Sequence, residues 1–67
     1  MKRRGRDFRA ERLRAGISQQ VMAAELGMHR SRLSAIEMEQ VDAATGFEPT
    51  WEDALEHLSR ERGGVGA

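Results

Sequence analysis

Residues 18–37 read SQQVMAAELGMHRSRLSAIE, two short stretches of helical apolar spacing on either side of Gly27. Met22 and Leu26 stand four residues apart, as do Ala23 and Gly27, while Leu33 and Ile36 stand three apart. Such spacings line up on one face of a helix. Serine is a good N-cap and glycine a good left-handed stop, so the pattern predicts one helix capped by Ser18 and ended at Gly27. A second begins near Arg30. Its end stays open, because Leu33, Ile36, Val41 and Ala44 extend one apolar stripe as far as Gly46. Upstream, DFRAERLRAG predicts a helix with Asp7 as N-cap and Gly16 as stop. Downstream, residues 46–49 read as a loop. Thr50-Trp51-Glu52-Asp53 then reads as a capping box opening a last helix, with Trp51, Ala54, Leu55 and Leu58 inward.

Ala23 is small enough to let another helix approach closely, and the two stretches joined through Gly27 share a seam at a steep angle. This is a helix-turn-helix arrangement, in which the second helix is held out for a DNA major groove. The fold expected is all-α, with four to five helices in one domain over residues 7–62. The stretch KRRGR has no apolar residue, so residues 1–6 are expected as a basic flexible arm, and residues 63–67, GGVGA, as a flexible tail.

Composition supports this reading and narrows it. Sixty-seven residues allow one small domain with a modest core. Tyrosine is absent and one proline occurs, which favours helices over strands. The chain has no cysteine, so it has neither a disulfide framework nor a thiolate metal site, as suits a reducing cytoplasm. No apolar run is long enough for a membrane span, and no apolar region follows the basic start to make a secretory signal. A formal net charge of zero conceals an uneven distribution. Residues 1–32 hold nine basic and three acidic side chains, a net +6, and residues 33–67 hold two basic and eight acidic, a net −6. That split suits a basic face for a polyanion, or a merely dipolar solvated surface.

The segment RLRAGISQQVMAAELGMHRSRLSAIE resembles the helix-turn-helix of the phage Cro and repressor family, the lambda-repressor-like fold. Leu13, Gly16, Ile17, Ser18, Gln19, Ala23, Leu26, Gly27, Ile36 and Glu37 carry the resemblance over roughly residues 8–37. PTWEDALEHL, residues 49–58, echoes it more weakly. The chain departs from the family's pattern in several places. His29 stands where a serine or threonine is usual, and Glu39 where a glycine is usual. About five extra residues separate Glu37 from Pro49, and the usual fifth helix is missing after Glu61. These departures bear on the dimer contact rather than on the DNA-reading unit.

The resemblance implies that Gln19, with Ser18 and the amides of the helix start, holds a phosphate. It also implies a structural ion pair between Arg12 and Glu37. By position, His29, Arg30, Ser31, Ser34 and Ala35 lie on the outer face of the recognition helix, opposite Leu33 and Ile36. All five are expected as base contacts, Arg30 and Ser31 foremost, and Arg32, pointing sideways, at a phosphate. Any of these can instead coat an exposed helix. Lys2, Arg3, Arg4 and Arg6 are expected to track phosphates or enter the minor groove, or else to form a solubilising tail. Met38, Val41, Phe47 and Trp51 are expected at a homodimer surface, although Trp51 also reads as a core anchor and Met38 as core filler.

No catalytic set is evident. Asp53 and His57 stand four apart without further ligands, so they read as a surface ion pair and not a metal site. No cofactor, metal, small-molecule ligand or membrane contact is expected. The function expected is a sequence-specific DNA-binding regulator of double-stranded operators. It would be an autoregulating repressor acting as a homodimer on an inverted repeat, of the kind found in phages and other mobile elements. Two alternatives are an antitoxin-like protein-interaction module, which the acidic second half suits, and an RNA binder using the arginine-rich arm.

Overall fold

A computed structural model describes residues 3–66. It has four helices: α1 (Gly5–Arg14), α2 (Gln19–Leu26), α3 (Arg30–Glu37) and α4 (Phe47–Gly66). Among the described residues there is no strand. The fold is all-α, as expected.

The two ends of α2 follow from local chemistry. The Ser18 hydroxyl accepts the Val21 N–H, satisfying one donor of the first turn. Gly27 closes the helix at φ 72° and ψ 33°. The Gly27 and Met28 amides donate to the carbonyls of Ala24 and Ala23, the two bonds of a Schellman stop. Gly16, also at φ 72°, ends α1 in the same way, with its own amide and that of Ile17 donating to Leu13 and Arg12.

The start of α1 departs from expectation. The helix opens at Gly5, and Asp7 lies in its first turn, where its carboxylate accepts the Arg4 backbone N–H at 2.8 Å. Gly5 packs against the end of α3, where an added Cβ would lie 2.0 Å from the Ile36 carbonyl oxygen. That contact is long-range and leaves no mark in the local pattern. Gly5 and Arg6 therefore belong to α1, and the arm expected over residues 1–6 is shortened accordingly.

The apolar stripe beyond Ile36 is not continued. α3 ends at Glu37, and Val41 and Ala44 are exposed. The stop has the same Schellman form, the Glu39 and Gln40 amides donating to Ile36 and Ala35, but Glu39 occupies the left-handed position at φ 62°. A side chain there costs about 1–2 kcal/mol, part of which glycine returns through its unfolded-state freedom. Glu39→Gly should therefore stabilise the fold by about 0.5–1 kcal/mol. Urea unfolding of the two proteins measures this, and equal midpoints would contradict it.

α4 begins at Phe47, three residues before the expected capping box at Thr50. The first amides of a helix have no intrahelical partner, so Pro49 is tolerated in the first turn. Thr50 is not a cap: its hydroxyl donates to the Gly46 carbonyl at 3.0 Å. The helix runs on to Gly66, through most of the tail expected over residues 63–67. Glycine weakens a helix by about 1 kcal/mol per position but keeps its amide donor. Ala67 lies outside the described residues.

The core joins all four helices through Phe8, Ile17, Met22, Ala23, Leu33, Ile36, Phe47, Trp51, Ala54 and Leu58. Leu26, Met28 and Leu55 pack against it. Phe8 meets Phe47 edge-on with centroids 5.0 Å apart, and Trp51 at the same distance. Phe47 and Trp51 are thus spent inside the monomer, which corrects their assignment to a dimer surface. Burying large rings on the chain's own core outweighs saving them for a partner. Met38, by contrast, is 63% exposed and fills no core.

Candidate nucleic-acid interface

Three residues separate α2 from α3, and the third is His29. Its ring caps α3. The Nδ1 atom accepts the Ser31 backbone N–H at 3.1 Å and lies 2.7 Å from the Ser31 hydroxyl. An Nδ1 that accepts a backbone N–H carries no proton, so the hydrogen bond assigns the ring hydrogen to Nε2 and makes the Ser31 hydroxyl a donor. His29 thereby does the capping work of the serine or threonine that the family resemblance leads one to expect. It leaves an Nε2–H donor on an exposed residue.

Along α3, Leu33, Ile36 and Glu37 are buried, while Arg30, Ser31 and Arg32 are exposed and Ser34 and Ala35 half-buried. At about 100° per residue, Ser31, Ala35 and Met38 fall opposite the buried side, and Arg30 and Arg32 fall on its two borders. The Ser34 hydroxyl donates to the Met38 sulfur at 3.7 Å, one turn further on. Met38 thus joins the outer face of α3, a placement that the sequence pattern missed. Its spacing from Ala35 and Ser34 is helical, and the signal was legible once the end of α3 was known. Of the five residues expected on this face, Ser31 and Ala35 lie on it with Ser34 beside them, Arg30 lies on its border, and His29 stands at the cap.

What aims the helix is a buried pair. Arg12 Nε and Nη2 donate to the two oxygens of Glu37 at 2.8 and 2.9 Å, and Nη1 donates to the Ile17 carbonyl at 2.9 Å. Arg12 is 6% exposed and Glu37 2%. Gln19 adds a third donor, its Nε2 reaching Glu37 at 3.2 Å. One carboxylate thus ties α1, the start of α2 and the end of α3 together. Gln19 keeps its second amide N–H, and Ser18 keeps its hydroxyl proton, for a ligand at the start of α2.

Arg3 does not reach outward as charge alone suggested. Arg3 Nε meets Glu11 at 3.0 Å, Nη2 meets Glu52 at 3.0 Å, and Nη1 lies 3.9 Å from Glu48. The Glu52 hydrogen bond raises the guanidinium above its ordinary range, with Glu11, Glu52 and Glu48 adding charge and desolvation opposing them. Arg3 is therefore held between α1 and the acidic start of α4 by three carboxylates. Arg4 and Arg6 are exposed at the start of α1. Lys2 lies outside the described residues.

On α4, His57 pairs with Glu25 of α2 at 3.1 Å and lies 3.8 Å from Glu61. The expected Asp53 partner is not used, since Glu25 and Glu61 supply the nearer carboxylates. Among the described residues no cluster of three metal-ligating side chains occurs, and no helix is long and apolar enough to cross a membrane.

A family model described as helix-turn-helix matches residues 8–45, more than half of the chain. No curated protein and no solved structure matches it.

Proposed function

The chain belongs to the Cro- and repressor-type helix-turn-helix family, and from that premise we propose a sequence-specific regulator that represses its own promoter. The observation that carries the reading is α3 itself. It is capped at its start, aimed by the buried Arg12–Glu37 pair, and bordered by two exposed arginines, neither of which takes part in an ion pair among the described residues.

Arg30 reads a guanine through O6 and N7, the bidentate contact that a guanidinium makes best. Arg32, Ser18, the spare Gln19 amide and the His29 Nε2–H hold phosphates at the edges of the groove. Arg4 and Arg6 extend this phosphate contact, and Arg3 serves the fold instead. One recognition helix reads too few base pairs for useful discrimination, so the protein acts as a homodimer on an inverted repeat. Its paired helices sit in successive major grooves about 34 Å apart. Of the residues first assigned to pairing, Met38 and Val41 remain available, 63% and 45% exposed. The protein works in the cytoplasm on double-stranded DNA and needs no cofactor. The RNA alternative loses support from the commitment of Arg3 to α4.

Selection of duplexes from a random pool tests this reading. The enriched site should be an inverted repeat carrying two chains per duplex by sedimentation. An asymmetric site with one chain bound would remove the dimer. On the enriched site Arg30→Ala should cost about 1–3 kcal/mol and relax preference at one base pair. Gln19→Ala should weaken selected and random duplexes alike. Equal weakening of both by Arg30→Ala would strip that residue of its reading role.

A further inference from the structure

Helix α1 begins beside the end of α3, where an added Cβ on Gly5 would run into the Ile36 carbonyl. The residues just before Gly5 therefore start out near the interface. Arg4 is exposed there, whereas Arg3 is folded back over the Phe8 ring, 6.0 Å from its centroid, among Glu11, Glu48 and Glu52. Glu48 and Glu52 stand one turn apart on α4, with side chains 42% and 57% exposed and no other partner among the described residues. The clamp is incomplete. Arg3 Nη1 is buried without a hydrogen-bond partner, and Glu48 comes no nearer to it than 3.9 Å. A buried donor left unpaired is costly and ion pairs this exposed are weak, so the clamp is easily opened.

We propose that Glu48 and Glu52 act as a built-in competitor for phosphate, which withholds Arg3 from DNA of random sequence. The proposal rests on the DNA-binding reading above and adds a restraint on its electrostatic part. Residues 1–32 carry nine basic side chains against three acidic ones. A half that basic binds any polyanion, and each phosphate it neutralises strengthens binding to every sequence alike. An arginine already neutralised by carboxylates exchanges one anion for another, so it releases no counterion and adds little to that common affinity. Arg3 serves the fold rather than the phosphates because these acids are present. Glu11 closes the clamp from α1, but it also accepts the Trp51 indole N–H and so belongs to the core. Glu48 and Glu52 have no such second task, which separates their effect on binding from the fold.

The experiment measures the affinity of the full chain for a random-sequence duplex by fluorescence anisotropy across a salt series. Removing both charges, Glu48→Gln with Glu52→Gln, should tighten binding about three- to tenfold at low salt, the scale of two exposed ion pairs. The slope of log affinity against log salt should steepen by about 0.9, the value of one more phosphate neutralised. Adding Arg3→Gln to that pair should cancel both changes. Arg3→Gln alone should bind within about twofold of the native chain, because a withheld arginine has little contribution to lose. Circular dichroism confirms that each variant is folded. Tighter binding that survives Arg3→Gln would mean that the acids act by plain repulsion of DNA, and it would overturn the proposal. An unchanged slope in the Glu48, Glu52 pair, or a large loss on Arg3→Gln alone, would overturn it equally. If no chain binds duplex at any salt, the DNA-binding reading falls first, and the two failures remain distinct.

Discussion

Replacing Glu37 with alanine should destabilise the fold by about 3–5 kcal/mol. The Arg12 guanidinium would stay buried with no counter-charge, and the Gln19 amide would lose its acceptor. Leaving one member of a buried pair behind is far costlier than removing both. A chain of this length has roughly 3–10 kcal/mol of stability in all, so Glu37→Ala should remove a large share of it. Replacing both partners, Arg12→Met with Glu37→Leu, should restore much of the loss, because the pair contributes orientation more than net stability. Urea unfolding followed by circular dichroism measures both variants. A single variant within 1 kcal/mol of the native chain, or a double variant worse than the single, would contradict this account of the pair.

Trp51→Ala should have the second large effect, about 3–5 kcal/mol. Trp51 is fully buried, against Phe8 and Phe47, and its indole N–H donates to Glu11 at 3.1 Å. Truncation removes the ring and leaves a cavity that the aromatic neighbours cannot fill without leaving their rotamers. Trp51→Phe keeps most of the volume and loses the Glu11 bond, so it should cost less, about 1–2 kcal/mol. At about 4–8 °C per kcal/mol, thermal unfolding separates the two variants clearly. Because Trp51 belongs to the monomer core, its fluorescence should report unfolding and stay constant on dilution through dimer dissociation. A shift in emission on dilution alone would return it to a subunit interface.

What was legible in the sequence was what short-range chemistry decides. Ser18 and Gly27 bound α2 because a cap and a left-handed stop need only their immediate neighbours. Leu33 and Ile36 show the buried side of α3 through their spacing alone. The Arg12–Glu37 pair, 25 residues apart, was reached through family resemblance, since charge spacing cannot specify partners across a fold. The misplaced features depend on contacts made at a distance. Gly5 belongs to α1 because it meets the end of α3, and Asp7 is compatible with either of two helix-start positions. Pro49 and Thr50 suit both a loop and a first helical turn, and the depth of Phe47 in the core decides between them. Arg3 looked like part of a mobile arm because two of its three acids, Glu48 and Glu52, lie far along the chain. An apolar residue such as Phe47 gives no sign of whether its own core or a partner will cover it.

The central claim is that α3 reads a base sequence. The most direct measurement is the ratio of affinities for the selected duplex and for a scrambled duplex of equal length and composition, taken by fluorescence anisotropy at 150 mM salt. The account predicts a ratio of about a thousandfold or more. A ratio near one at that salt concentration would mean that the basic half binds phosphates and reads nothing.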